Sequence, residues 1–497
     1  MLSIFTATRP DPSSLRFPEV EKWRWVATGT ATLVFLFCLL VALTQFVNPF
    51  PHDGWFYSQY RLFGRSPGAD NYTPVAVPAF LYAFVHFATA LFGRGLVAEF
   101  YLGSLLHHLL LFSSAVFLYL SHGLLGLRKS GLLASVLLIL FVESTLMPQA
   151  FWSENVTLFL MSGTLLVAFA ILTSPQMSDR KFLALAFVFG SLIGGLTITR
   201  LIPFVILPGL VLFYRFHLPP HRVIRFASVA TGVVLVMVLA CMGANAYRYG
   251  RFELTNSAGR HLWNLISVRS DEMLAESREY QILRRAIPDV QGKYWWEIQP
   301  QDIDGLKNFT REELFRTLSR QAIFRRPLTF AAIGMRNSLL LLRQCPRRIG
   351  LARALYYNPL KRSTMLPALV HPLPPLEKFL ALFHQAAVAI YAYAVYATLA
   401  LGFFTAVTRE ILSAHAVKGH GAPTSGVWLF LVAAFFAMLY LTGQIERPDS
   451  RYSILYLPLV FLIASTTLRR LTEVWTKTSW KESRVQRLWK KETEKVA

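Results

Sequence analysis

The sequence predicts an all-α polytopic membrane protein, and three observations predict it. Hydrophobic residues fill 54% of the 497 positions, and mean hydropathy is +0.42. Only 16% of residues are charged, against roughly 25% in a soluble domain. Apolar runs near the spanning length of about 20 residues recur from end to end. Soluble globular, disordered and collagen-like classes are thereby excluded. Cys38, Cys241 and Cys345 are scattered, which removes a disulfide framework and a thiolate metal site. The net charge of +22 points to anionic lipid, a phosphate-bearing substrate or basic cytoplasmic loops. A nucleic-acid partner is not expected.

Charge decides which apolar runs cross. Residues 1–25 read as a cytoplasmic N-terminus, because Lys22 and Arg24 precede the first span, about 26–47. The first external loop, 48–96, contains the proline-led stretch 78–92, which is read as a juxtamembrane helix at the outer interface. Every later loop then falls into register. Spans at 97–123, 131–150, 156–174, 182–199, 202–214 and 226–247 put Arg128/Lys129, Arg180/Lys181 and Arg215–Arg225 inside. Residues 26–247 thus form a transmembrane module. The hydrophilic segment 248–378 is expected to be a small extracytoplasmic domain. Within it the amphipathic stretch 328–344, interrupted by Arg336, is expected to lie on the membrane surface. Three spans near 379–405, 426–443 and 453–467 complete about ten, followed by a basic cytoplasmic tail, 468–497. From Arg469 onward that tail holds nine Lys/Arg against four Glu. No internal repeat is visible, which weakens a transporter reading.

In this topology the unusual charges gather on one face. Asp53 lies just past the first span in His52-Asp53-Gly54-Trp55. Glu154 opens the fourth span, Arg200 closes the fifth, and Arg447 and Arg451 lie between the last two. A carboxylate can take a proton from an attacking hydroxyl. Guanidiniums stabilise charge developing on a phosphate leaving group. Each residue also has a plainer reading. Asp53 suits an interface, Glu154 suits the first turn of a helix, Arg200 suits a snorkelling flank, and Arg447 with Arg451 suits a membrane anchor. Between Leu314 and Leu376 there are eleven Lys/Arg and no acid, which is either a headgroup-binding shelf or a device steering an anionic substrate. His107 and His108 are helix neighbours diverging by about 100°, so they make no metal pair, although one of them suits a polar cavity. Asn71, Asn155 and Asn308 each open a glycosylation sequon.

With those positions in hand, the chain resembles the membrane-embedded glycosyltransferases of the C fold (GT-C) that use polyprenyl-phosphate sugars. That superfamily includes the protein O-mannosyltransferases and the lipid A aminoarabinose transferases. The resemblance runs in order and spacing over about 25–467. It is carried by Asp53 with Trp55-Phe56-Tyr57, by the proline-led stretch from Thr73 to Gly93, and by Glu154 at the start of a span. It continues through Arg200 with Pro203, Gly259-Arg260-His261-Leu262-Trp263-Asn264, Ala322 to Leu328, and Arg451-Tyr452 with Pro458.

The resemblance implies a GT-C-like bundle and roles for these residues. Asp53 would activate or orient the acceptor, and Glu154 would be the second acid. Arg200 would hold the donor phosphate, helped by Arg451 or Arg447. His52, Trp55, Tyr57, His261 and Trp263 would contact acceptor or sugar, and Trp263, Trp295 and Trp296 suit either sugar stacking or the core of the external domain. Many members carry two adjacent acids where His52 precedes Asp53. One carboxylate with a histidine is an incomplete site for a divalent metal, so no cofactor is assigned and a metal stays open.

The expected activity is transfer of a hexose or pentose from an undecaprenyl- or dolichyl-phosphate carrier to a glycan, lipid or protein acceptor. The expected place is the outer face of a bacterial inner membrane. The alternatives are a flippase or transporter of lipid-linked glycans, which would want internal symmetry and mid-span polar residues, and a polymerase that joins them.

Overall fold

The structure, a computed structural model, describes residues 96–140, 153–174, 177–200, 206–215, 217–249, 252–254, 258–344, 393–405, 424–445 and 457–469, with a few isolated positions besides. All the regular elements among these residues are helical. They are α1 (Leu96–Leu124), α2 (Arg128–Leu140), α3 (Ser153–Thr173), α4 (Asp179–Thr199), α5 (Ile206–Arg215) and α6 (Pro220–Tyr249). A second group follows: α7 (Ala258–Ile266), α8 (Ser270–Leu274), α9 (Arg278–Ala286), α10 (Arg311–Arg325) and α11 (Pro327–Gln344). The last three are α12 (Tyr393–Thr405), α13 (Thr424–Ile445) and α14 (Leu457–Arg469). Four helices among the described residues, in α1, α3, α4 and α6, are long and apolar enough to cross a membrane. The protein is an integral membrane protein.

Short connections make successive helices antiparallel. The turns after α1, α3 and α5 gather at one end of the bundle, where Arg128, Lys129, Arg180, Lys181, Arg215, Arg222 and Arg225 collect. At that basic end Asp179, the first residue of α4, accepts from Arg225 at 2.8 Å and from Arg222 at 3.4 Å. These pairs are largely solvated and stabilise little, but they show that α4 and α6 start side by side.

The bundle core is apolar throughout, with Leu118, Leu165, Phe189, Phe226 and Phe435 buried together. The helices approach closely where side chains are small. A Cβ placed on Gly190 of α4 would stand 2.9 Å from the backbone of Ala230 on α6. Several interior hydroxyls are satisfied within their own helices, as Ser114, Thr164 and Thr197 donate to the carbonyls of Leu110, Leu160 and Ile193. The Tyr214 hydroxyl donates to Ala168 O at 2.7 Å and ties α5 to α3.

Residues 258–333 build a second, smaller core at the end opposite the basic one, where α6 delivers the chain. Trp263 stacks on Phe315 with centroids 5.0 Å apart. Glu312 of α10 is buried and accepts from the backbone N–H groups of Gly259 (2.7 Å) and Arg260 (3.3 Å) at the start of α7, and from the Arg260 side chain. A carboxylate set at a helix N-terminus satisfies donors that the helix itself cannot. Gly259 permits it, since a Cβ there would lie 2.5 Å from Arg316 N. Glu253 receives both Arg316 Nη atoms at 2.9 and 2.7 Å, and Asn245 near the end of α6 donates to the Glu253 carbonyl. The small core is thereby tied to the bundle.

The stretch 328–344, expected on the membrane surface, is one helix that joins the two cores. Ile333 belongs to the small core and Leu341 to the bundle core. The first external loop and the juxtamembrane stretch lie outside the described residues.

The close contact at Gly190 gives a test. Gly190→Val is expected to lower the thermal unfolding midpoint in detergent by the equivalent of about 1–3 kcal/mol of overpacking. Gly232→Ala, at a position on α6 with nothing within 4 Å, should leave the midpoint unchanged or slightly raised.

Candidate active site

Four of the expected site residues, Glu154, Arg200, His261 and Trp263, fall in the described structure, and it brings Glu154 and Arg200 together at the end opposite the basic loops. Glu154 sits in the first turn of α3. Arg200 is the extended residue that closes α4, and its N–H donates to Leu196 O. Because α3 and α4 are antiparallel, the start of one and the end of the other share a level. The Arg200 guanidinium donates through Nη2 to Glu154 Oε1.

The Glu154 side chain is 2% exposed and that of Arg200 14%. Each charge also meets a favourable helix end, the acid at the positive N-terminus of α3 and the arginine at the negative C-terminus of α4. Burial makes an unpaired charge expensive, so the two partners depend on each other.

A neutral polar cluster lies beside the pair. Asn155 is fully buried, and its Nδ2 lies 3.4 Å from His107 Nδ1 on α1. His108 is buried as well. A polar cavity is expected for one of these histidines; the structure buries both, with His107 facing Asn155. Asn155 was read only as a sequon residue. Complete burial removes it as a glycan acceptor in the folded chain, whereas Asn308 is exposed. Its pairing with a residue 48 positions away leaves no mark in the sequence.

The small core decides between the two readings of Trp263 in favour of the core one. Trp263 is 0% exposed, stacked on Phe315 and near Tyr280, so no surface of it is open to a sugar. It faces inward because Trp263 and Ile266 are three apart on α7 and share its apolar side. His261, two residues earlier, is half-buried. The face of Trp295 is covered by the guanidiniums of Arg260 (4.9 Å) and Arg311 (5.8 Å), which is a packing role. The Trp296 side chain, His52, Asp53, Trp55, Tyr57, Arg447 and Arg451 lie outside the described residues. Among the described residues no group of three or more His, Cys, Asp or Glu is arranged to hold a metal ion.

No family model and no curated protein matches the chain. Among solved structures it is similar to ArnT from Cupriavidus metallidurans, a structure bound to undecaprenyl phosphate. The identity is 12% and the TM-score 0.35, over 89% of this chain and 77% of that one. That likeness is broad but shallow, so the chemistry below rests on this chain's own side chains.

The buried pair predicts coupling. Glu154→Gln or Arg200→Gln alone should cost about 3–5 kcal/mol, the range for breaking a buried pair. The double variant should cost clearly less than the sum, giving a coupling above ~1 kcal/mol in thermal unfolding in detergent. Additive losses would mean that the two side chains do not meet.

Proposed function

We propose that the protein is a GT-C-type glycosyltransferase of about ten spans that moves a sugar from a polyprenyl-phosphate carrier to an acceptor hydroxyl. The reaction takes place at the extracytoplasmic face, in a bacterial inner membrane. The observation that carries this reading is the buried Glu154–Arg200 pair at the end of the bundle away from the basic loops. By the positive-inside rule that end is the outer one.

A guanidinium held at the membrane boundary suits a phosphate that is itself anchored there by a lipid tail. It is planar and permanently charged, and its fork of N–H donors matches phosphate geometry. Glu154 holds one edge through Nη2 and so fixes the plane of the group. Glu154 is engaged by Arg200 and serves as a positioning residue. The acceptor proton goes instead to Asp53.

The step is a single displacement. The acceptor oxygen attacks the anomeric carbon, the bond from that carbon to the phosphate oxygen breaks, and polyprenyl phosphate departs with the electron pair. Arg200, with Arg451 or Arg447, meets the growing charge on the phosphate. Orientation and electrostatic stabilisation supply most of the rate.

The test uses the purified full chain in lipid nanodiscs with polyprenyl-phosphate hexose and pentose donors and membrane acceptors. Wild type is expected to transfer sugar. Asp53→Asn and Arg200→Gln should each fall by about 10²–10³, with Arg200→Lys retaining more activity than Arg200→Gln. Full transfer by either severe variant would overturn the assignment.

A further inference from the structure

The two-core position of α11 reaches beyond the catalytic reading and is independent of it. We propose that α11 is inserted in the bilayer, entering from the end of the bundle that carries the small core, with one stripe of its surface packed on lipid acyl chains.

Register against α13 gives the direction. Gln444, at the end of α13, donates to Ala331 O near the start of α11. Asn337 donates to Gly443 O, and the Ser338 hydroxyl lies 3.2 Å from Leu439 O. Moving forward along α11 therefore moves backward along α13, from its end toward its middle. α13 is 22 residues of almost wholly apolar sequence, about 33 Å long by helix rise, and its stretch Phe430–Gln444 is one of the shorter apolar helices of the bundle. A helix antiparallel to it that starts level with Gln444 leaves the interface and descends. Leu341, seated in the bundle core, marks that descent.

The contact is built as helix pairs in lipid are built, from small residues and polar side chains turned onto backbone. A Cβ on Gly334 would collide with the Gln444 side chain, and one on Gly443 would meet the Gly334 carbonyl at 2.5 Å. Asn337 and Ser338 are buried in this seam.

The other side of α11 is the reverse of a water-facing surface. Its exposed residues Leu328 (84%), Ala332, Met335 (52%) and Leu339 (61%) fall at helical spacing on one stripe. Among the described side chains of α11 Arg336 breaks the stripe, and its long stem allows the charge to reach the interface. Just before Pro327, Arg325 and Arg326 are both exposed, at the level where lipid phosphates lie. An apolar stripe continuous with a membrane-spanning bundle has acyl chains as its occupant.

The experiment is depth measurement by electron paramagnetic resonance. Single cysteines (Leu328→Cys, Met335→Cys, Leu339→Cys) are introduced into the full chain after Cys38→Ser, Cys241→Ala and Cys345→Ser, then spin-labelled. The protein is reconstituted in phosphatidylethanolamine–phosphatidylglycerol vesicles. Relaxation by oxygen and by a water-soluble nickel chelate is compared. Eleven residues of helix span about 16 Å, so the oxygen-to-nickel ratio should rise several-fold from 328 to 339. Equal ratios at all three sites would mean a helix lying flat. Strong nickel access at 339 would mean a water-facing helix. Low access to both reagents would mean a protein partner. Each of those three results overturns the proposal.

Discussion

A buried ion pair between the ends of two antiparallel helices is the constraint on which the candidate site depends. Glu154 and Arg200 come from the start of α3 and the end of α4, and neither charge is tolerable there without the other. Their meeting sets the axial offset of the two helices and holds a guanidinium at the membrane boundary. At the far end of the same helices, Asp179 meets Arg222 and Arg225 in a solvated cluster. Similar residue types therefore do different work at the two ends, and water is what separates them. The pairs at the basic end share the exposed Asp179 and are screened and local, while the Glu154–Arg200 pair is dry and directional.

The same solution recurs in the small core. Glu312 is buried and takes the backbone donors at the start of α7 together with Arg260. In both places a carboxylate closes the N-terminus of a helix and engages an arginine. The two units are joined through Asn245 and Glu253 on one path and through α11 on another. Two separate ties of this kind restrict how the small core can move against the bundle.

Much of the bundle was legible because hydropathy and helix length are properties of a single segment. The expected spans at 97–123, 156–174, 182–199 and 226–247 end within three residues of α1, α3, α4 and α6, except at the start of α6, which lies six residues earlier. The α6 boundary differs most. That helix begins at Pro220, so the basic residues read as loop form its first turns. Trp263 was less legible, since an aromatic beside His261 and Asn264 has the same letters whether it faces a sugar or a core. The Asn155–His107 contact and the seam of Gly334 with Gly443 were not legible, because each joins residues far apart in the chain with no local pattern.

Composition and the order of basic and apolar segments, by themselves, determined that this is a helical membrane protein and which loops share a side. They could do so because the bilayer acts on every segment separately, excluding charge from its core and drawing basic loops to one face. Only the tertiary structure decided which charges meet, which tryptophan is buried and where α11 goes. Those outcomes depend on distances between remote side chains, and pairing energies vanish unless the partners arrive within a few ångströms of each other.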